Sequence, residues 1–107
     1  GGRQIDGVSS TVSRLPEIVD AVGSKAEVLL DSGVRNGSDI VKAVALGATA
    51  VMMGRPWVYA LAARGETGVA DLLRVFQLEM ANTMALMGVN SLQELTPDLV
   101  DTRGVCK

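Results

Sequence analysis

An α/β fold built on a parallel sheet is the architecture this sequence predicts, and three observations predict it. Two short apolar runs, residues 26–31 (AEVLLD) and 48–53 (ATAVMM), each stop at a glycine-containing turn. Between them lies a stretch of helical periodicity, Ile40, Val41, Val44 and Leu46. Strand, helix and strand then fit within about thirty residues, the span of a βαβ unit, whose crossover demands parallel strands.

The elements follow in order. Leu15, Ile18, Val19 and Val22 recur at i, i+3, i+4 and i+7, an amphipathic helix with Ser13 as N-cap, Pro16 in its first turn and Gly23 as its stop. The run 26–31 reads as a buried strand. Asn36-Gly37-Ser38-Asp39 supplies caps for the next helix, which Gly47 ends. The run 48–53 is the second strand, closed by Gly54-Arg55-Pro56. Residues 57–63 form a short helix, residues 64–68 (RGETG) a loop, and the longest helix carries Val69, Leu72, Leu73, Phe76, Met80, Met84 and Met87 to Gly88. Leu92, Leu95 and Leu99 mark a last packed segment.

A (β/α)8 barrel runs to about 250 residues, or roughly thirty-one per βα unit, so a chain of 107 residues holds roughly three and a half units. Two parallel strands alone leave both edges unpaired and one face bare. The chain therefore reads as the closing portion of a barrel, about strands seven and eight with flanking helices, and an open α/β sheet fits the periodicity almost as well. The start at Gly1-Gly2-Arg3-Gln4, without an initiator Met, fits a segment of a longer chain.

Composition narrows the function. Ten basic against twelve acidic residues give a net charge of −2, which supplies no basic surface for nucleic acid. One cysteine, Cys106, excludes an internal disulfide framework and a cysteine-rich zinc site, and no metal site is expected. No apolar run reaches the length of a membrane span, so a cytoplasmic setting is expected. There is no histidine, hence no imidazole base within this chain.

The chemistry concentrates in two turns at strand C-terminal ends, Asp31-Ser32-Gly33-Val34-Arg35 and Gly54-Arg55-Pro56. Glycine lets backbone approach an anion, a following helix N-terminus adds N–H groups and dipole, and Arg35 and Arg55 add guanidinium forks. Ordinary loop chemistry accounts for either turn alone. Two such turns on consecutive strands point to a phosphate site, which barrels often build from the loops after strands seven and eight. Asp31 is either a catalytic carboxylate or, more blandly, a turn cap or an arginine's partner. Met80, Met84 and Met87 are read as core filling, and Trp57 and Tyr59 as packing residues.

Gly1-Gly2-Arg3-Gln4 with Asp6-Gly7, the turn 31–37, Ala45-Leu46-Gly47-Ala48 and Gly54-Arg55-Pro56 together resemble the FMN-dependent α-hydroxy-acid oxidising family, which includes glycolate oxidase and L-lactate dehydrogenases. The resemblance runs from Gly1 to about Val100 and implies the C-terminal part of one FMN-binding barrel domain, incomplete over residues 1–107. It implies that Arg3 binds the substrate carboxylate, and that Asp31, Ser32, Gly33, Val34 and Arg35, with Gly54 and Arg55, hold the FMN phosphate and ribityl chain. Ser32 stands where many members have glycine. The family's catalytic histidine would precede Gly1, so this chain alone is expected to be inactive. The implied reaction oxidises a small L-2-hydroxy acid to the 2-oxo acid. The implied partners are that substrate, the remaining N-terminal part of the barrel and, once complete, further copies in a homo-oligomer. The competing readings are an inert or phosphate-binding barrel fragment and a piece of a nucleotide barrel related to inosine-monophosphate dehydrogenase.

Overall fold

The computed structural model describes residues 4–102. Helix α1 (Thr11–Val22) leads to strand β1 (Leu29–Leu30), helix α2 (Gly37–Ala45), strand β2 (Ala50–Val51) and a long helix α3 (Arg55–Met87). Single 3-10 turns follow at Leu92–Glu94 and Pro97–Leu99. This is the helix–strand–helix–strand–helix order that the periodicity predicts.

The strands pair in parallel, Leu29 opposite Ala50 and Leu30 opposite Val51. The ladder reaches one bond further at each end, from Thr49 N–H to the Val28 carbonyl at 2.7 Å and from Met52 N–H to the Leu30 carbonyl at 2.8 Å. Each strand is shorter than its apolar run because among the described residues each has one neighbour to pair with.

Two boundaries differ from expectation. Helix α1 is capped by Ser10, not Ser13: the Ser13 N–H donates to Ser10 Oγ at 3.4 Å and the Ser13 hydroxyl to the Ser10 carbonyl at 2.7 Å. Starting there recruits Val12 to the core. It also places Pro16 inside the helix, where the ring removes the N–H that would have met the Val12 carbonyl. The second difference is the extent of the expected loop 64–68: two helical limbs are separated there as predicted, but by a break of only two residues. Arg64 (φ −145°) and Gly65 (φ +61°) leave helical geometry, and the helix resumes at once. Gly68 is buried against the Ala60 carbonyl, so the two limbs fold close where a side chain would hold them apart.

Helix α2 is the centre of the packing. One side joins Ala43 and Leu46 to Leu15, Leu30, Val34 and Ala48, while the other joins Val41 and Ala45 to Leu95 and to the Met80, Met84 and Met87 side chains of α3. The methionines are core filling, as their spacing predicts. On the sheet, Leu30 is buried towards this core and Leu29 is 55% exposed. Met52 (54%) extends that bare apolar surface. One face of the sheet is therefore covered by the chain's own helices and the other is not. Burying one such side chain is worth about 1.5–3 kcal/mol.

Candidate functional site

The register of the sheet builds the site. Because β1 and β2 run parallel and side by side, both leave at the same end, and the turns after Leu30 and Val51 emerge next to one another. Asp31, Gly33 and Arg35 on the first turn, and Gly54 and Arg55 on the second, are all exposed, whereas Val34 is buried and anchors the first turn in the core.

The first turn has an unusual backbone. Ser32 (φ +77°) and Gly33 (φ +83°) are consecutive residues in the left-handed region, and Ser32 is the only non-glycine described residue with positive φ. Such a conformation costs an L-residue about 1–2 kcal/mol. The Thr11 hydroxyl donates to the Ser32 carbonyl at 3.2 Å, which ties the turn to α1. Open space surrounds both Gly33 and Gly54: a β-carbon built on either would meet nothing within 4 Å. At Gly54 the backbone, with φ −111°, does not require glycine either.

The arginines divide by position. Arg14, Arg64 and Arg74 each hold a carboxylate, respectively Glu17 at 2.9 Å and Asp71 at 2.8 and 3.0 Å. Among the described residues no ion pair engages the guanidinium of Arg35 or Arg55. Asp31 neither caps its turn nor pairs with either arginine, and no hydrogen bond to another described residue engages its carboxylate.

The two helix N-termini beside the turns are unequal, and here the sequence reading needs correction. Three N–H groups at and just before the start of α2 already have acceptors. Arg35 N–H donates to Asp39 Oδ2 at 2.9 Å, Gly37 N–H to Glu79 Oε2 at 2.6 Å, and Asp39 N–H to Asn36 Oδ1 at 2.9 Å. Two carboxylates thus already answer the dipole of α2. Helix α3 is the opposite case: no side chain caps it, and its first turn holds no acid. Pro56 brings no N–H, so the amides of Arg55 and Trp57 are the donors nearest its start.

A cleft of about 550 Å³ lies beside the first turn, among Thr11, Val34, Lys42, Met87 and Val100. Ser32 and Gly33 line it too, but Arg35, Gly54 and Arg55 do not. Arg3 and Cys106 lie outside the described residues. Of the expected site residues, the structure brings Asp31, Ser32, Gly33 and Arg35 to the sheet end shared with Gly54 and Arg55. Val34 lies beneath them. Glu79 was not legible in the sequence, being 42 residues from the amide it holds, with no local motif to mark it.

The match to known proteins is extensive. The family model described as FMN-dependent dehydrogenase matches residues 1–102. An L-lactate dehydrogenase of Chromohalobacter salexigens is 51% identical over 102 residues, covering 95% of this chain and 26% of that protein. A flavocytochrome b2 variant solved with pyruvate bound superposes with a TM-score of 0.91 at 38% identity, covering 97% of this chain and 28% of the other. A soluble mutant of the membrane-associated (S)-mandelate dehydrogenase from Pseudomonas putida superposes with a TM-score of 0.84 at 46% identity, covering 92% of this chain and 28% of the other. The chain spans about a quarter of the length of the curated relatives it matches.

Proposed function

Since this chain belongs to the FMN-dependent dehydrogenase family, we propose that it serves a flavoenzyme that oxidises a small L-2-hydroxy acid to the 2-oxo acid, its two turns holding the FMN phosphate. The observation that carries this reading is the pair of exposed arginines, Arg35 and Arg55, without carboxylate partners among the described residues, on adjacent turns of one sheet end. The residues fit a phosphate group: open space at Gly33 and Gly54, unpaired guanidinium forks, and a helix start free of acids. The family match over residues 1–102 displaces the nucleotide-barrel alternative.

In this reading residues 1–107 are part of a single barrel domain and contribute its seventh and eighth strands. The bare sheet face carrying Leu29 and Met52 supports this, because barrel neighbours would bury it. Bound FMN supplies the acceptor for the two electrons that leave the substrate. The chain's own residues bind and orient. Arg35 and Arg55 would neutralise the phosphate, the amides after Gly54 would donate to it, and Asp31 would accept from ribityl hydroxyls. Arg3 takes the substrate carboxylate in a bidentate grip. With no histidine in the chain, the base that takes the hydroxyl proton belongs to the rest of the enzyme.

No helix among the described residues is long and apolar enough to cross a membrane. We place the enzyme in the cytoplasm, a setting the single cysteine supports, and as a homo-oligomer, for which Leu78 (62% exposed) and Leu86 (91%) on α3 offer apolar surface. The test is spectroscopic: the complete enzyme carrying this segment is purified and its flavin absorbance followed on adding L-lactate, glycolate or mandelate anaerobically. Bleaching by one of them is expected. A colourless protein, or a flavin that none of them bleaches, refutes the assignment.

A further inference from the structure

We propose that Glu79 is a positioning residue for the phosphate end of the flavin site, tying the start of α2, and with it the turn 31–36, to the second limb of α3, which packs on the limb that begins at Arg55. The proposal rests on the phosphate-site reading above and adds a residue that lies outside both turns.

The contact is committed at both of its ends. Glu79 Oε2 accepts the partly buried Gly37 N–H at 2.6 Å, a short, charge-assisted bond. Gly37 is buried and has no room for a side chain, since a β-carbon there would stand 2.5 Å from the Phe76 carbonyl oxygen, 2.6 Å from Glu79 Cβ and 2.7 Å from Met80 N. The backbone of α2 therefore lies directly on α3, and the carboxylate closes over the amide. No neighbouring group substitutes for it. Asn36 Oδ1 already accepts from Asp39 N–H at 2.9 Å and from the Ser38 hydroxyl at 2.7 Å, and Asp39 Oδ2 already holds Arg35 N–H.

The consequence is geometric. Arg35 stands two residues before Gly37; Arg55 opens the first limb of α3, and Glu79 sits on the second limb, beyond the break at Arg64 and Gly65. The Glu79–Gly37 bond is thus a strut from α2 to the second limb of α3, and the close packing of Gly68 on Ala60 carries it on to the limb that bears Arg55. The turn preceding α2 holds two consecutive left-handed residues, a conformation that persists only where its surroundings fix both ends. Thr11 fixes one end through the Ser32 carbonyl, and Glu79 fixes the other through Gly37. Losing the strut frees Arg35 to drift relative to Arg55, and a phosphate that needs both loses affinity. The isoalloxazine ring, which neither turn grips, does not.

The experiment compares FMN with riboflavin, which has the same ring and ribityl chain without the phosphate. Apoprotein of the complete enzyme is titrated with each by flavin fluorescence for the wild type, Glu79→Ala, Glu79→Asp and Glu79→Gln. The preference for FMN over riboflavin is expected to fall at least about tenfold in Glu79→Ala, the scale of one hydrogen bond to a charged group. Glu79→Asp, whose carboxylate is one methylene short of Gly37, is expected to lose several-fold. Glu79→Gln keeps an acceptor at the same reach and is expected to stay within about threefold of wild type. The proposal is overturned if Glu79→Ala keeps the wild-type preference. It is equally overturned if riboflavin and FMN weaken together in both Glu79→Ala and Glu79→Asp, since that pattern marks a residue needed only for folding. A wild type that does not prefer FMN over riboflavin refutes the phosphate site itself, a failure distinguishable from that of Glu79.

Discussion

Gly54→Ala isolates the phosphate site from the fold. Most glycines are kept because a side chain would collide or because φ is positive, and neither holds at Gly54. Its φ is −111°, and a β-carbon there meets nothing within 4 Å. The chain's own packing therefore predicts a stability change within about ±0.5 kcal/mol, as for any substitution away from such features. A phosphate seated at the start of α3 predicts something else. Charge-assisted N–H···O bonds bring donor and acceptor to about 2.7–2.9 Å, and an added methyl beside that backbone keeps the phosphate oxygens from closing to that distance. Losing one such bond is worth about 1.5–3 kcal/mol, or roughly 10- to 150-fold in FMN affinity.

The assay is the same pair of titrations, FMN and riboflavin into apoprotein of the complete enzyme, with the thermal midpoint of the apoprotein as the stability reading. The expected pattern is an unchanged apoprotein midpoint, unchanged riboflavin binding and weakened FMN binding. Wild-type FMN affinity in Gly54→Ala would mean that no phosphate approaches this backbone, and the argument from open space would fail. A lowered apoprotein midpoint would mean that the glycine serves the fold after all.

Other perturbations follow from the same structure. Ser32→Gly removes a left-handed L-residue at φ +77° and is expected to stabilise by about 0.5–1 kcal/mol once glycine's own entropy is subtracted, read as a higher thermal midpoint; an unchanged or lower midpoint denies the strain. Arg3→Lys keeps the charge and loses the bidentate fork, so turnover of the complete enzyme is expected to fall about 30- to 1000-fold with FMN retained, and unchanged kinetics on every small 2-hydroxy acid would remove Arg3 from the site. Residues 1–107 alone, given FMN and L-lactate, are expected to show no turnover, because the chain has no histidine and one sheet face is bare; measurable oxidation would place the base within this chain.

What was legible in the sequence was whatever a local rule governs. The order of elements followed from apolar periodicity, and the end of α1 at Gly23 and of α3 at Gly88 from glycine's tolerance of positive φ. The two turns were legible because strand, glycine and arginine stand adjacent in the chain. Choices between near-equivalent local options were not. Ser10 and Ser13 are both good caps, and Ser10 prevails because the extra turn buries Val12, a tertiary gain invisible in the pattern. Residues 64–68 look like a loop because two glycines flank polar residues, yet Gly68 serves close packing on Ala60 and only the break at Arg64 and Gly65 interrupts the helix. Glu79 was illegible for the strongest reason. Its partner is a backbone amide, which has no residue type to pair with, on an element far along the chain.

The same distinction separates the two helix ends as candidates for the proposed phosphate site. Both follow a strand and a glycine turn, and from residue types alone both are anion sites. An acid near a helix N-terminus is worth about 0.3–1 kcal/mol and answers the same amides and dipole that a phosphate would. At α2 that capacity is spent twice, on Asp39 and on Glu79, with Asn36 capping besides. A phosphate brought to that end would face two carboxylates before it met a donor. At α3 no cap and no acid intervene. In the proposed site the turn 31–36 contributes through Arg35, which precedes a helix end already answered by its own acids, while the start of α3 has none. A phosphate site built on this sheet is therefore asymmetric: rigidity comes from the α2 side, and the free amides come from the α3 side.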